Sequence, residues 1–164
     1  MACINNVGAF DDLDNNLQNI MITLLENENI CKLLYYNTAD ALDKPNVENP
    51  LDLISTKFYN QTFIPPTETE STYITIFFDR FDGVDGNPYL KRGRLFINVS
   101  THRNLWNINS GLRVVKIIAE IDKILNKQRV SNSLTKDFFG KMNYRPISEL
   151  FNSYDIWYTN IDSQ

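Results

Sequence analysis

The sequence predicts an α+β fold: N-terminal helices, a β-hairpin, a long amphipathic helix and two further strands, with one mixed or antiparallel sheet covered by helix. Three observations carry that prediction. Apolar residues recur at helical spacing from Leu13 to Leu34, alternate in the two runs STYITIFFD and RLFINVSTH, and return to helical spacing after Ser110. With 164 residues, 43% hydrophobic and 22% charged, the chain suits one domain with a core of its own. That balance excludes collagen-like, low-complexity and wholly disordered chains.

Residues 1–10 read as a flexible arm and 11–164 as a single domain. A helix is predicted from Asp11. Asp11, Asp12 and Asp14 place negative charge at its positive end, and Leu13, Leu17, Ile20, Met21, Leu24 and Leu25 form one apolar stripe. A second short helix within NENICKLLYY buries Ile30, Leu33 and Leu34. Asn49-Pro50 suits a helix start, with Asn as cap and Pro in the first turn, so Leu51, Ile54 and Phe58 should face inward. The stretch from Tyr59 to Ser71, with Pro65-Pro66 and little periodicity, reads as an extended connection.

The period then becomes two. Ile74, Ile76 and Phe78 share one face, and Tyr73, Thr75, Phe77 and Asp79 the other. DRFDGVDGNPYLKRG reads as a long turn. In the following strand Leu95, Ile97 and Val99 point in, while Phe96, Asn98, Ser100 and His102 point out. In SGLRVVKIIAEIDKILNK the polar residues Arg113, Lys116, Glu120, Lys123 and Lys127 make a single solvent stripe on a helix that is otherwise apolar. Strands follow near Phe138 to Tyr144 and Tyr154 to Ile161.

Little in the sequence points to catalysis. His102 is the sole histidine and reads as a surface residue beside Arg103 and Asn104, and no GxSxG, HExxH or Walker-type loop occurs. Counted as a calcium loop, Asp82 leads to Gly83 at the third position and Gly93 at the twelfth, so the ligand pattern fails and Asp-Gly reads as turn chemistry. Neither Cys3 nor Cys31 has a zinc or CxxC partner; both read as reduced thiols, Cys31 in the core and Cys3 in the arm. The sequons at Asn60 and Asn98 have no meaning without secretion, and the first residues lack the basic start and apolar run of a secretory signal. No stretch approaches a membrane span, so no membrane partner is expected.

The formal charge of −4 argues against a protein that coats nucleic acid. The one local basic cluster is Lys91, Arg92 and Arg94, with Arg80 across the hairpin. It is either a solvated hairpin end or an electrostatic contact with an acidic neighbouring subunit or with passing DNA. Phe77, Phe96 and Trp157 fall on outward strand faces, which suggests coverage by another layer or another subunit.

The succession ENICKLLYYNTADALDKPNVENPLDLI, IPPTETESTYITIFFD and LFINVSTHRNLWNINSGLRVVKIIAEIDKIL resembles small neck proteins of tailed bacteriophages, of the tail completion, tail terminator or head–tail connector type. The likeness runs from about Leu24 to Leu125. Its most telling piece is a strand, then H-x-x-L-W-x-I, then a glycine-led amphipathic helix with Arg113 in its first turn; SYDIWYTNID suits the final strand. The resemblance implies a structural virion protein rather than an enzyme, with no cofactor or metal. It implies a homo-oligomeric ring of six or twelve copies in the virion neck, assembled in the host bacterial cytoplasm. Such a ring joins a portal or adaptor ring to the tail or tail-tube protein and encloses a channel for genomic dsDNA, passed without sequence recognition. A ring subunit needs two different complementary patches. The candidates are the hairpin with Arg80, Lys91, Arg92 and Arg94, the Pro65-Pro66 segment and the N-terminal arm. Two other readings stand beside this one: a DNA-binding accessory protein using the basic hairpin, and a hydrolase holding a divalent ion on Asp79, Asp82 and Asp85.

Overall fold

The computed structural model describes residues 13–126 and 138–163. Helix α1 (Leu13–Leu25) buries Leu17, Ile20, Met21, Leu24 and Leu25, the predicted stripe, together with Asn16. The predicted start at Asp11, the arm and Cys3 lie outside the described residues. Helix α2 (Glu28–Tyr35) begins at Asn27, whose side chain accepts from the Ile30 amide at 3.0 Å, and it buries Ile30, Cys31, Leu33 and Leu34.

The Asn49-Pro50 start yields only a 3-10 turn, Pro50–Leu53. The inward residue of that turn is Leu53, and Leu51 is 57% exposed, contrary to the sequence expectation. Ser55, at φ 63°, turns the chain out of helical geometry. Phe58 does point inward, but from strand β1 (Phe58–Tyr59). An extended segment then leads to β2 (Thr72–Val84) and β3 (Asn87–His102).

The hairpin differs from expectation. The stretch that reads as a long turn continues both strands, leaving only Asp85 and Gly86 at the tip. Gly86 sits at φ 80°, where a residue with a Cβ is strained. Register shifts after Phe78 and Gly83 break the alternation there, so periodicity alone cannot detect the strand.

Beyond β3 a small ribbon, β4 (Asn107–Ile108) with β5 (Gly111–Leu112), leads into α3 (Arg113–Leu125). Strands β6 (Phe138–Pro146) and β7 (Phe151–Ser163) complete a five-stranded sheet of order β1-β2-β3-β7-β6. Only β1–β2 is parallel, so of the two predicted alternatives, mixed or antiparallel, the sheet is mixed. The main core lies between the helices and one sheet face. There Ile74, Ile76, Leu95, Ile97, Val99 and Ile156 meet Ile20, Leu24, Leu34, Ile117 and Ile121.

Candidate assembly surface

Arg80 and Arg94 stand opposite each other in the β2–β3 register, as do Asp82 and Arg92. Arg94 donates from Nε and Nη2 to the two carboxylate oxygens of Asp79, both at 2.7 Å. This fork–fork geometry holds the guanidinium proton more firmly and raises its pKa. Arg80 Nε donates to Asp82 at 2.9 Å. Two of the four predicted cations are thus engaged by neighbouring aspartates, while Arg92 is exposed. The Lys91 backbone pairs with Gly83 and Asp162; its side chain lies outside the described residues. Asp79 and Asp82, candidate metal ligands by sequence, are ion-pair partners instead. Among the described residues no group of three His, Cys, Asp or Glu side chains is placed to hold a metal.

The sheet face turned away from the helices carries a cross-strand aromatic ladder. Phe77 and Phe96 lie in register with ring centroids 4.8 Å apart, Phe96 and Trp157 follow at 5.4 Å, and Lys141 Nζ stands 5.9 Å from the Trp157 ring. Cover is supplied by the extended segment before β2, which crosses this face as a strap. Phe63 stacks on Tyr59 at 3.9 Å and packs against Tyr73 at 4.9 Å. Of the two predicted interface prolines Pro65 is buried and Pro66 exposed, and Ile64 between Phe63 and Pro65 is 77% exposed. A cavity of about 240 Å³ remains between strap and sheet, lined in part by Phe63, Ile64, Phe77, Phe96, Asn98 and Arg145. Asn98 is buried there and donates to Asp155 at 2.6 Å, with Arg145 3.6 Å from the same carboxylate. Phe77 and Trp157 stay half-buried, so the expectation of a covering layer is met only partly by this chain.

Two residues expected to face solvent are buried. His102 does point away from the main core, yet it is only 4% exposed, because Phe151 packs edge-on at 5.3 Å. Its Nδ1 accepts from the Asn104 amide at 3.3 Å. Arg113 is fully buried. Its guanidinium donates to the carbonyls of Leu105 (3.0 Å), Leu33 (2.8 Å), Tyr36 (2.9 Å) and Thr38 (2.6 Å), tying the end of α2 to the start of α3. Burial pushes its pKa down, and the α2 carbonyl end supplies the compensating negative potential. The sequence holds one signal: Arg113 sits one turn before Ile117 and two before Ile121, at the border of the buried stripe. Lys57 has no such signal. It is half-buried, donates to Ser71 Oγ and lies 5.3 Å from the Tyr73 ring centroid, and burial lowers its pKa. Cys31 is buried as expected. Its thiol donates to the Leu25 carbonyl at 3.0 Å, and burial pushes its pKa up to about 11, which makes it unreactive.

The arrangement offers hydrophobic and charged surfaces without an assembled nucleophile and base among the described residues. A family model described as YomW matches residues 27–160. Among solved structures, a chain of the structure titled "Virion of native gene transfer agent (GTA) particle" aligns over 93% of this chain and 98% of its own, with a TM-score of 0.51 and 14% identity. That likeness is one of fold. Among curated proteins, none matches the sequence.

Proposed function

The chain belongs to the YomW family, and from that premise we propose that it is a structural virion protein: a subunit of a homo-oligomeric ring at the head–tail junction. In this reading each copy contacts its neighbours, a portal or adaptor ring and the tail, and the ring encloses the path of the genomic DNA. The observation that carries it is the near end-to-end fold likeness to a chain of a virion particle, 98% of that chain and 93% of this one. The half-open aromatic face of the sheet supports it further, because a strap that covers only part of such a face leaves apolar surface for a neighbour. The hairpin cations Arg80, Lys91, Arg92 and Arg94 and the strap around Pro65 and Pro66 are the proposed contact segments.

Imaging intact particles, with symmetry determined at the neck, tests this reading. The expected result is a ring of six or twelve copies with this fold beneath the capsid vertex. Particles that assemble normally without the protein would overturn it. A DNA-binding accessory role would rest on the same hairpin, where Arg80 and Arg94 are already paired with aspartates. Steeply salt-dependent DNA binding by the purified chain would favour that role instead.

A further inference from the structure

Charge is distributed unevenly along this chain. Residues 13–56, which build α1, α2 and the turns after them, contain seven carboxylates against two lysines, and one of those, Lys44, already pairs with Asp40 at 2.9 Å. From Arg80 to Arg94 the hairpin has the opposite balance, four cations against Asp82 and Asp85.

Within the acidic layer a groove of about 510 Å³ lies between the end of α1, the start of α2 and the segment 46–51. Its walls are apolar: Ile22 is 40% exposed, Leu51 57%, and Val47 is half-buried. Glu26, Glu28 and Glu48 line it, all exposed, and none is in an ion pair among the described residues. An apolar trough edged by unpaired carboxylates repels acidic surfaces and suits a segment that brings cations to its rim. The hairpin of this same chain is such a segment. Arg92 is exposed near its end, and it too is in no ion pair among the described residues.

We propose that this groove receives the hairpin of a second copy, with Arg92 entering among Glu26, Glu28 and Glu48. Groove and hairpin are different patches of one chain, so the contact is heterologous. Every subunit offers its groove to one neighbour and its hairpin to the other, which is what a closing ring requires. The proposal rests on the ring reading and names the contact that builds the ring.

Sedimentation of the full chain provides the test, at about 0.01 M and about 1 M salt, where the screening length falls from roughly 30 Å to 3 Å. The wild-type chain should self-associate at low salt and dissociate at high salt. Arg92→Glu, which spoils the hairpin, and Glu26→Gln/Glu48→Gln, which removes charge from the groove without creating a cation that could pair with the new carboxylate of the hairpin variant, should each weaken association at least about tenfold. An equimolar mixture of the two variants should give dimers that do not grow, because one working groove meets one working hairpin. Unchanged thermal melting of each variant establishes that it is folded. Glu48→Gln serves as a milder groove variant, with a smaller loss in the same direction. A wild-type chain that stays monomeric at both salts, variants that associate like wild type, or a mixture that stays monomeric would each overturn the contact. Particles that lack the protein would sink the virion reading but not these sedimentation results. A normal neck ring built from Arg92→Glu subunits would sink the contact but not the virion reading.

Discussion

The two faces of the five-stranded sheet are held by different means. Toward the helices, Ile74, Ile76, Ile97, Val99 and Ile156 are wholly buried and packed by aliphatic side chains of α1, α2 and α3. Toward the strap, the same strands present Thr75, Phe77, Phe96, Asn98, Asp155 and Trp157, covered only in part by one extended segment with a cavity beneath it. Branched aliphatics under helices close-pack and resist any change of partner. Aromatics and paired polar groups under a strap tolerate a wet and changeable neighbour. Of the two sheet faces, the first should therefore carry more of the stability and the second should be the more open to a partner.

Arg113 gives the largest expected effect, because it ties the helical layer together. Arg113→Met would leave the carbonyls of Leu33, Tyr36, Thr38 and Leu105 without their donor inside the protein. The expected loss is about 3–5 kcal/mol in urea unfolding. Arg113→Lys should recover only part of it, since an ammonium cannot span four carbonyls as a planar fork does. A loss below about 1 kcal/mol in the Met variant would show that the helical layer does not depend on this cation.

Next comes the direct contrast of the two faces. Ile97→Ala, on the helix side, should cost about 2–5 kcal/mol. Trp157→Ala, on the strap side, removes a larger side chain that is only half-buried, and should cost about 1–2 kcal/mol. The same Trp157 variant should nevertheless incorporate poorly into particles, whereas an Ile97→Val chain should incorporate normally. Equal stability losses for Ile97→Ala and Trp157→Ala, measured by denaturant unfolding, would erase the distinction.

That contrast also marks what the sequence can and cannot convey. Alternation in Ile74, Ile76, Leu95, Ile97 and Val99 locates β2 and β3 and their inner face, because burial against helices demands a strict period of two. It says less about the opposite face, where Asn98 is buried under a strap distant in sequence whose Pro65-Pro66 signal specifies extension but not destination, and His102 under Phe151 of β7. The outer hairpin reads as loop because Asp, Gly, Asn and Pro are turn residues and two register shifts break the pattern. Arg113 reads as solvent-facing because charge is a surface signal, and only the three-dimensional gathering of four carbonyls makes its burial tolerable. Among the predicted contact residues, the clustering of Arg80, Arg92 and Arg94 is legible in the sequence; the aspartate pairing of two of them is not.

A smaller effect probes how tightly the helix side is sealed. Cys31 keeps its proton up to about pH 11 in the native chain, because burial opposes the thiolate, against 9.0 for the free group. Between those values the unfolded chain binds fewer protons than the folded one. Stability should therefore fall as pH rises from about 9 to 11, and the contribution is fully present below 9. Comparison with Cys31→Ala isolates this slope, which the variant should lack. Reaction of Cys31 with a thiol reagent at neutral pH should accelerate sharply only in denaturant. Rapid labelling of the native chain would mean that the helical layer opens more readily than its packing indicates.

The smallest effect on folding is expected at the hairpin. Arg94→Glu removes a bidentate pair with Asp79 and sets a third carboxylate beside Asp79 and Asp82. The Arg94 side chain is 41% exposed, however, and water screens both the attraction lost and the repulsion gained. The expected cost is below about 1 kcal/mol, shrinking further at high salt. Particle assembly with the same variant should fall markedly if the hairpin is a contact segment. A large drop in melting temperature would instead assign the Arg94–Asp79 pair to holding β2 and β3 together. The charged end of the hairpin would then serve folding as much as the helix side does, and the division of labour between the two faces would fail.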